Sequence, residues 1–267
     1  MIESTDQIRR NIVLKNIPDK IVSVVPSQTE LLYDLDLGDK ITGITKFCIH
    51  PSHLKTEKEI VGGTKNLNID KIRKLSPDLI IANKEENNPV QIKNLSGEFP
   101  VWTSDVKQLS DALEMIQSIG RLTGTEKKAN DLALKIRMRF KQLEEAMTNF
   151  KNIPVVYLIW KNPYMTVGAD TFIHDILKRT AFTNIFSDKL RYPEFNPEEL
   201  KNNPPGMILL SSEPYPFQEK DIAETQKLFP SSRIRLVDGE LFSWYGSRLL
   251  KSPEYLLNLR REVDSAS

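Results

Sequence analysis

Short runs of aliphatic and β-branched residues alternate along the chain with longer stretches in which apolar positions recur every three or four residues. That alternation is the pattern of parallel sheets built from strand-helix-strand units. Ile21-Val22-Ser23-Val24-Val25 reads as a buried strand that breaks at Pro26. Ser27-Gln28-Thr29-Glu30 then has the spacing of a capping box ahead of a helix carrying Leu31, Leu32 and Leu35. Further strands are predicted at residues 41–45, 78–82 and 100–102, with helices at 69–75 and 108–122.

From residue 125 to 150 there is neither proline nor glycine, and Leu132, Ile136, Phe140, Leu143, Met147 and Phe150 keep helical spacing. One helix over this span would extend roughly 40 Å at ~1.5 Å per residue, long enough to act as a strut. A second set of elements follows: strands at 155–159, 207–210 and 234–237, a helix at 171–178, a short helix opened by Asn196-Pro197, and a closing helix at 246–263. The predicted class is α/β, with two Rossmann-like lobes, each holding a parallel sheet, at residues 20–124 and 151–267. One long rigid helix, 125–150, joins them. No internal repeat or low-complexity segment is present.

Charge and chemistry narrow the function. The 37 basic and 36 acidic side chains leave no net field to steer the protein to nucleic acid. Cys48 is the single cysteine, so no internal disulfide forms. No stretch reaches the ~18 apolar residues of a membrane span. No basic segment with an apolar run opens the chain, so no signal peptide is expected and a cytoplasmic location stays open. There is no nucleophile elbow, phosphate loop, dinucleotide fingerprint or His-Glu-x-x-His, and Gly62-Gly63 is too short to cradle a phosphate. Glu85-Glu86 follows the 78–82 strand and reads as a solvated loop. Cys48, His50 and His53 lie within six residues, but no second Cys/His pair accompanies them, since His174 sits alone in a helix. No catalytic residue, metal site or cofactor is therefore expected; His50 alone as an axial ligand to a metal-bearing small molecule is the weaker variant.

Several segments carry a family likeness. VVPSQTELLYDLDL with GDKITGIT, then Val61-Gly62-Gly63 ahead of NLNIDKIRKLSPDLIIAN, then NPYMTVGADTFIHDIL, RYPEFNPEEL and SRLL occur in order from Ile21 onward. Together they resemble the helical-backbone periplasmic binding proteins, the substrate receptors of iron-siderophore and vitamin B12 ABC transporters. The resemblance implies a non-catalytic monomer that binds a corrinoid, haem or ferric siderophore in a cleft between lobes, docks on an ABC permease, and works in the periplasm or cell envelope. Matched motif by motif to the vitamin B12 receptors, the pocket positions fall on His50, Thr64 with Lys65, Asn83 with Lys84, Met165, Tyr192, Trp244 and Tyr245. Most of the aromatics expected there are replaced, and His50, Asn83 and Lys84 favour a ligand with hydrogen-bonding or anionic groups. The permease-docking acids fall on Asp70 and Glu198. The alternative is a cytoplasmic metallo-chaperone or enzyme that kept the receptor fold.

Overall fold

A hairpin that the apolar pattern does not announce opens the chain in the computed structural model, which describes residues 1–201 and 203–265. Strands β1 (Ile2–Thr5) and β2 (Asn11–Leu14) pair antiparallel. Ile12 and Leu14 turn inward while Val13 is 50% exposed. Asp6 holds the turn: its carboxylate accepts from Ile8 N, Arg10 N and Arg10 Nε, and from Thr103 N across to the neighbouring sheet.

By packing, the chain divides into two units. The first comprises residues 1–106, 110–136 and 245–248; the second comprises 107–109, 137–244 and the chain from Leu249 on.

In the first unit, β3 (Ile21–Ser23) leads to α1 (Pro26–Asp34), β4 (Ile41–Ile44), α2 (Leu54–Glu57) and β5 (Glu59–Ile60). A small pair, β6 (Gly62–Gly63) and β7 (Asn66–Leu67), precedes α3 (Ile69–Leu75), β8 (Leu79–Asn83), α4 (Pro89–Ser96), β9 (Val101–Ser104) and α5 (Leu109–Thr123). The sheet runs β5-β4-β3-β8-β9 with every pair parallel. Val22, Ile80 and Val101 stand in register across it and pack on Ile72, Ile92 and Leu95. Because β4 lies on one side of β3 and β8 on the other, the strand order reverses between β3 and β8.

The capping box at Ser27 does not form: α1 begins at Pro26, two residues earlier than expected, with extended Val25 as its N-cap and no side-chain cap bond. Proline supplies the pre-set φ and lacks the amide that a cap would have to satisfy. The long helix α6 spans Glu126–Met147, about 33 Å, and stops short of residue 150. Gly124, at φ 72°, turns α5 into α6, and a Cβ there would meet Ile17 Cδ1 at 2.3 Å.

In the second unit, β10 (Ile153–Leu158), α7 (Phe172–Arg179), β11 (Phe182–Asn184), β12 (Met207–Ser211), α8 (Glu219–Leu228), β13 (Arg233–Val237) and α9 (Glu240–Ser243) follow in order. The sheet is again wholly parallel, β11-β10-β12-β13. Val156, Leu158, Ile208 and Leu210 form its core with Phe186, Phe195, Phe217 and Phe229. Here the order reverses between β10 and β12. The turn predicted at Asn196-Pro197 forms as a 3-10 helix, Pro197–Leu200, with a reciprocal cap between Asn196 and Glu199. The closing helix is interrupted: a 3-10 turn, Ser247–Leu250, precedes α10 (Ser252–Ser265), because Pro253 suits a helix start and not a helix interior.

Candidate functional site

Open α/β sheets place ligands outside the carboxyl ends of their strands, at the point where the order reverses. In the first unit that point is built from the residues after β3 and β8. Asn83 closes β8: its Oδ1 accepts from Glu85 N at 2.7 Å and Glu86 N at 2.9 Å, and its Nδ2 donates to Ser104 Oγ at 3.0 Å. Asn87 accepts from Asn83 N and donates to the carbonyls of Val24 and Thr64, tying the two loops together. Around this turn the structure gathers Thr64, Lys65, which donates to the Glu85 carbonyl, and Lys84, which pairs with Asp105 at 2.6 Å. Tyr245 arrives from far along the chain, and its hydroxyl donates to Glu86 Oε1 at 2.5 Å. Glu85-Glu86 is thus a half-buried pair with a tyrosine on it, and not the solvated loop expected from sequence.

His50 lies near Glu30, whose carboxyl is pushed up by burial and pulled back by Arg248 and, more weakly, by His50. Cys48 turns inward instead, its Sγ 3.1 Å from Thr29 Oγ1 and 3.3 Å from Thr45 Oγ1, and burial raises its thiol pKa. His53 is exposed and sits edge-on to Tyr33. The three groups of the Cys-His segment do not converge, and among the described residues no cluster of three or more His, Cys, Asp or Glu is placed to hold a metal.

In the second unit, β10 runs out through Ile159 to Trp160, and β12 through Ser212 to Glu213 and Tyr215. Met165 bridges antiparallel to Trp160 on one side and to Glu194 on the other. Tyr215 N donates to Ile159 O at 3.2 Å, and its ring meets Trp160 edge-on at 5.6 Å. Tyr192 is half-exposed with the Arg191 guanidinium 5.9 Å from its ring. Trp244, by contrast, is only 7% exposed; its Nε1 donates to Glu213 Oε1 at 3.0 Å, beside Ser243 Oγ at 2.5 Å. Trp244 and Tyr245 are therefore tethered side chains, each held by a glutamate of its own unit.

Burial pushes the Glu213 carboxyl above its ordinary value, Glu240 and Asp238 add to this, and the Ser243 and Trp244 bonds oppose it. A raised folded-state pKa means that the native state binds the proton more tightly than the unfolded chain. The stability Glu213 contributes is complete below the unfolded value of 4.5 and is lost as pH rises through the folded value. Glu213→Gln keeps an acceptor for Trp244 and cannot ionise. Its melting temperature is expected to exceed that of the unsubstituted protein at neutral pH, with the difference closing below about pH 4. Parallel melting curves across that range would contradict this.

Asp70 and Glu198 both lie in the first turn of a helical segment and face solvent. Asp70 is in the first turn of α3, 82% exposed and 3.1 Å from Arg73; Glu198 is in the 3-10 turn, 61% exposed and 2.6 Å from Lys201. Trp160, Tyr215 and Glu213 were not singled out from sequence. The signal available for Trp160 was its place directly after the strand read at residues 155–159.

Two parallel-sheet units with aromatic and polar side chains at their carboxyl edges present the kind of surface on which open α/β sheets hold ligands. The chain belongs to the periplasmic binding protein family, whose model matches residues 21–231. It is 28% identical to an uncharacterized ABC transporter substrate-binding lipoprotein of Bacillus subtilis, YvrC, over 94% of this chain and 82% of that one. It is 26% identical to the vitamin B12-binding protein of Vibrio cholerae over 72% of this chain and 70% of that one. The crystal structure of the periplasmic vitamin B12-binding protein BtuF of Vibrio cholerae shares the fold, with a TM-score of 0.80 at 22% identity, covering 93% of this chain and 98% of that one.

Proposed function

We propose that this chain is the non-catalytic substrate-binding component of an ABC-type uptake system, that it takes a corrinoid, haem or ferric siderophore, and that it works in the cell envelope. The observation that carries this reading is the match of nearly the whole fold to substrate-binding relatives, combined with side chains that gather at the carboxyl edges of both sheets. His50, Thr64, Lys65 and Lys84 on the first unit, and Met165 and Tyr192 on the second, are the ligand-reading groups. Asn83, Trp244 and Tyr245 support them through the bonds described above. No helix among the described residues is long and apolar enough to cross a membrane; the permease in this reading is the partner that the family implies.

A thermal-shift panel of cobalamin, cobinamide, haemin and ferric siderophores tests the reading. A ligand at 100 times its Kd stabilises the native state by about 2.7 kcal/mol, which raises the melting temperature by several degrees. A saturable shift with one compound is expected; none with any compound, alongside turnover of a substrate, would move the protein to an enzyme. Asp70 and Glu198 are the permease contacts in this reading. Their joint reversal to lysine is expected to abolish binding to the transporter in detergent or nanodiscs while leaving ligand affinity within about twofold, because exposed first-turn acids contribute little to folding. Undiminished transporter binding would remove them from the interface.

A further inference from the structure

Of the three tryptophans, Trp102 and Trp244 are 0% and 7% exposed, whereas Trp160 is 40% exposed. Trp160 stands at the carboxyl end of β10 and Tyr215 at the carboxyl end of β12, so the pair flanks the reversal point of the second sheet, where such sheets take their ligands.

The indole is held rather than loose. Ile159 N donates to Met165 O at 3.0 Å, Met165 N to Trp160 O at 3.2 Å, and Tyr215 N to Ile159 O at 3.2 Å, fixing both loops by their backbones. Tyr215 closes on one edge of the indole at an interplanar angle of 74°, and is itself backed by the buried Phe217 at 4.7 Å. Residues bridged across a ladder project to the same face, which sets Trp160, Met165 and Glu194 in a row. The neighbouring Lys161 is tied down to Asp221 at 3.0 Å and Glu224 at 2.6 Å. What the row offers is therefore an aromatic face and a thioether, with a carboxylate at the far end.

We propose that Trp160, braced by Tyr215 and extended by Met165, is a stacking floor for the open conjugated face of a planar ligand, and that it selects a metalloporphyrin over the other ligand classes of the receptor reading, on which this inference rests. A preorganised ring gains the most contact from a flat partner that it can meet face to face. A porphyrin presents such a face. A corrinoid carries side groups that project above and below its ring, and a ferric siderophore wraps its metal in a globular shell. The Glu194 carboxylate repels an acidic rim, so the ligand's carboxylate edge points away from that end of the row.

The probe is zinc protoporphyrin, titrated into the full-length protein alongside cobalamin and a ferric hydroxamate siderophore, by calorimetry and by tryptophan emission. Zinc protoporphyrin is expected to bind one per chain and to quench emission. Trp160→Ala is expected to weaken it about fivefold to tenfold and Trp160→Phe by less, with melting temperatures close to the unsubstituted protein because the ring is partly exposed. Should Trp160→Ala fold poorly, the Trp160→Phe and Tyr215→Ala affinities carry the same comparison. Unchanged porphyrin affinity in the variants would overturn the stacking floor while leaving the receptor reading standing. Binding of cobalamin or the siderophore in preference to the porphyrin would overturn the planar class alone. No binding of any of the three would bring down the receptor reading and this inference with it.

Discussion

Arg248→Ala is expected to lower the unfolding free energy by about 3–5 kcal/mol, the cost of stranding one member of a buried ion pair. Arg248 Nε and Nη2 donate to the two carboxylate oxygens of Glu30 at 2.9 and 2.8 Å, and both side chains are 9% exposed. The turn that carries Arg248 packs into the first unit although 218 residues separate it from Glu30. Gly246 lets the backbone lie against α1, where a Cβ would meet Ser27 O at 2.5 Å, and Ser247 Oγ donates to Asp34 Oδ2. Removing the guanidinium leaves a carboxylate that burial already disfavours. The melting temperature should fall by roughly 10 °C. Glu30→Met combined with Arg248→Met should recover most of the loss, since two apolar side chains of similar size need no counter-charge. A single-variant loss under about 1 kcal/mol in denaturant titration would show that the pair is not dry in solution.

The second large effect falls on Asn83, and its sign separates two roles. The amide closes the turn after β8 by accepting two backbone N–H bonds and donating to Ser104, and the residue is 2% exposed. Asn83→Ala is expected to cost about 2–3 kcal/mol of stability, the loss of several buried hydrogen bonds with their partners left in place. Ligand affinity of the folded fraction should change less than threefold, because the amide has no free hydrogen-bonding capacity to offer. A residue that touched ligand would behave in the opposite way, with stability intact and affinity reduced. That outcome, read by chemical denaturation and calorimetry on one preparation, would return Asn83 to the binding set.

The strands at residues 21–25, 78–82, 155–159 and 207–210 were legible because strands buried on both faces must be continuously apolar. The opening hairpin was not, because its inward face consists of Ile12 and Leu14 alone and its turn is organised by the Asp6 carboxylate rather than by apolar periodicity. Helix α8 was missed for a related reason: EKDIAETQKL has too few apolar positions to show a stripe. At the site, motif order points to loops beyond the carboxyl ends of the strands, but the bonds their side chains make are not legible from it. Trp244 and Tyr245 are bonded to Glu213 and Glu86, 31 and 159 residues away, and no local pattern announces such partners. Trp160 escaped because the family motifs begin two residues after it, at Asn162.

Ligand binding without turnover defines the proposed receptor, and calorimetric titration of the protein against the tetrapyrrole and siderophore panel tests it most directly. One compound binding saturably at one per chain, recovered chemically unchanged, is the predicted result. Absence of binding across the panel, or recovery of an altered compound, would contradict it.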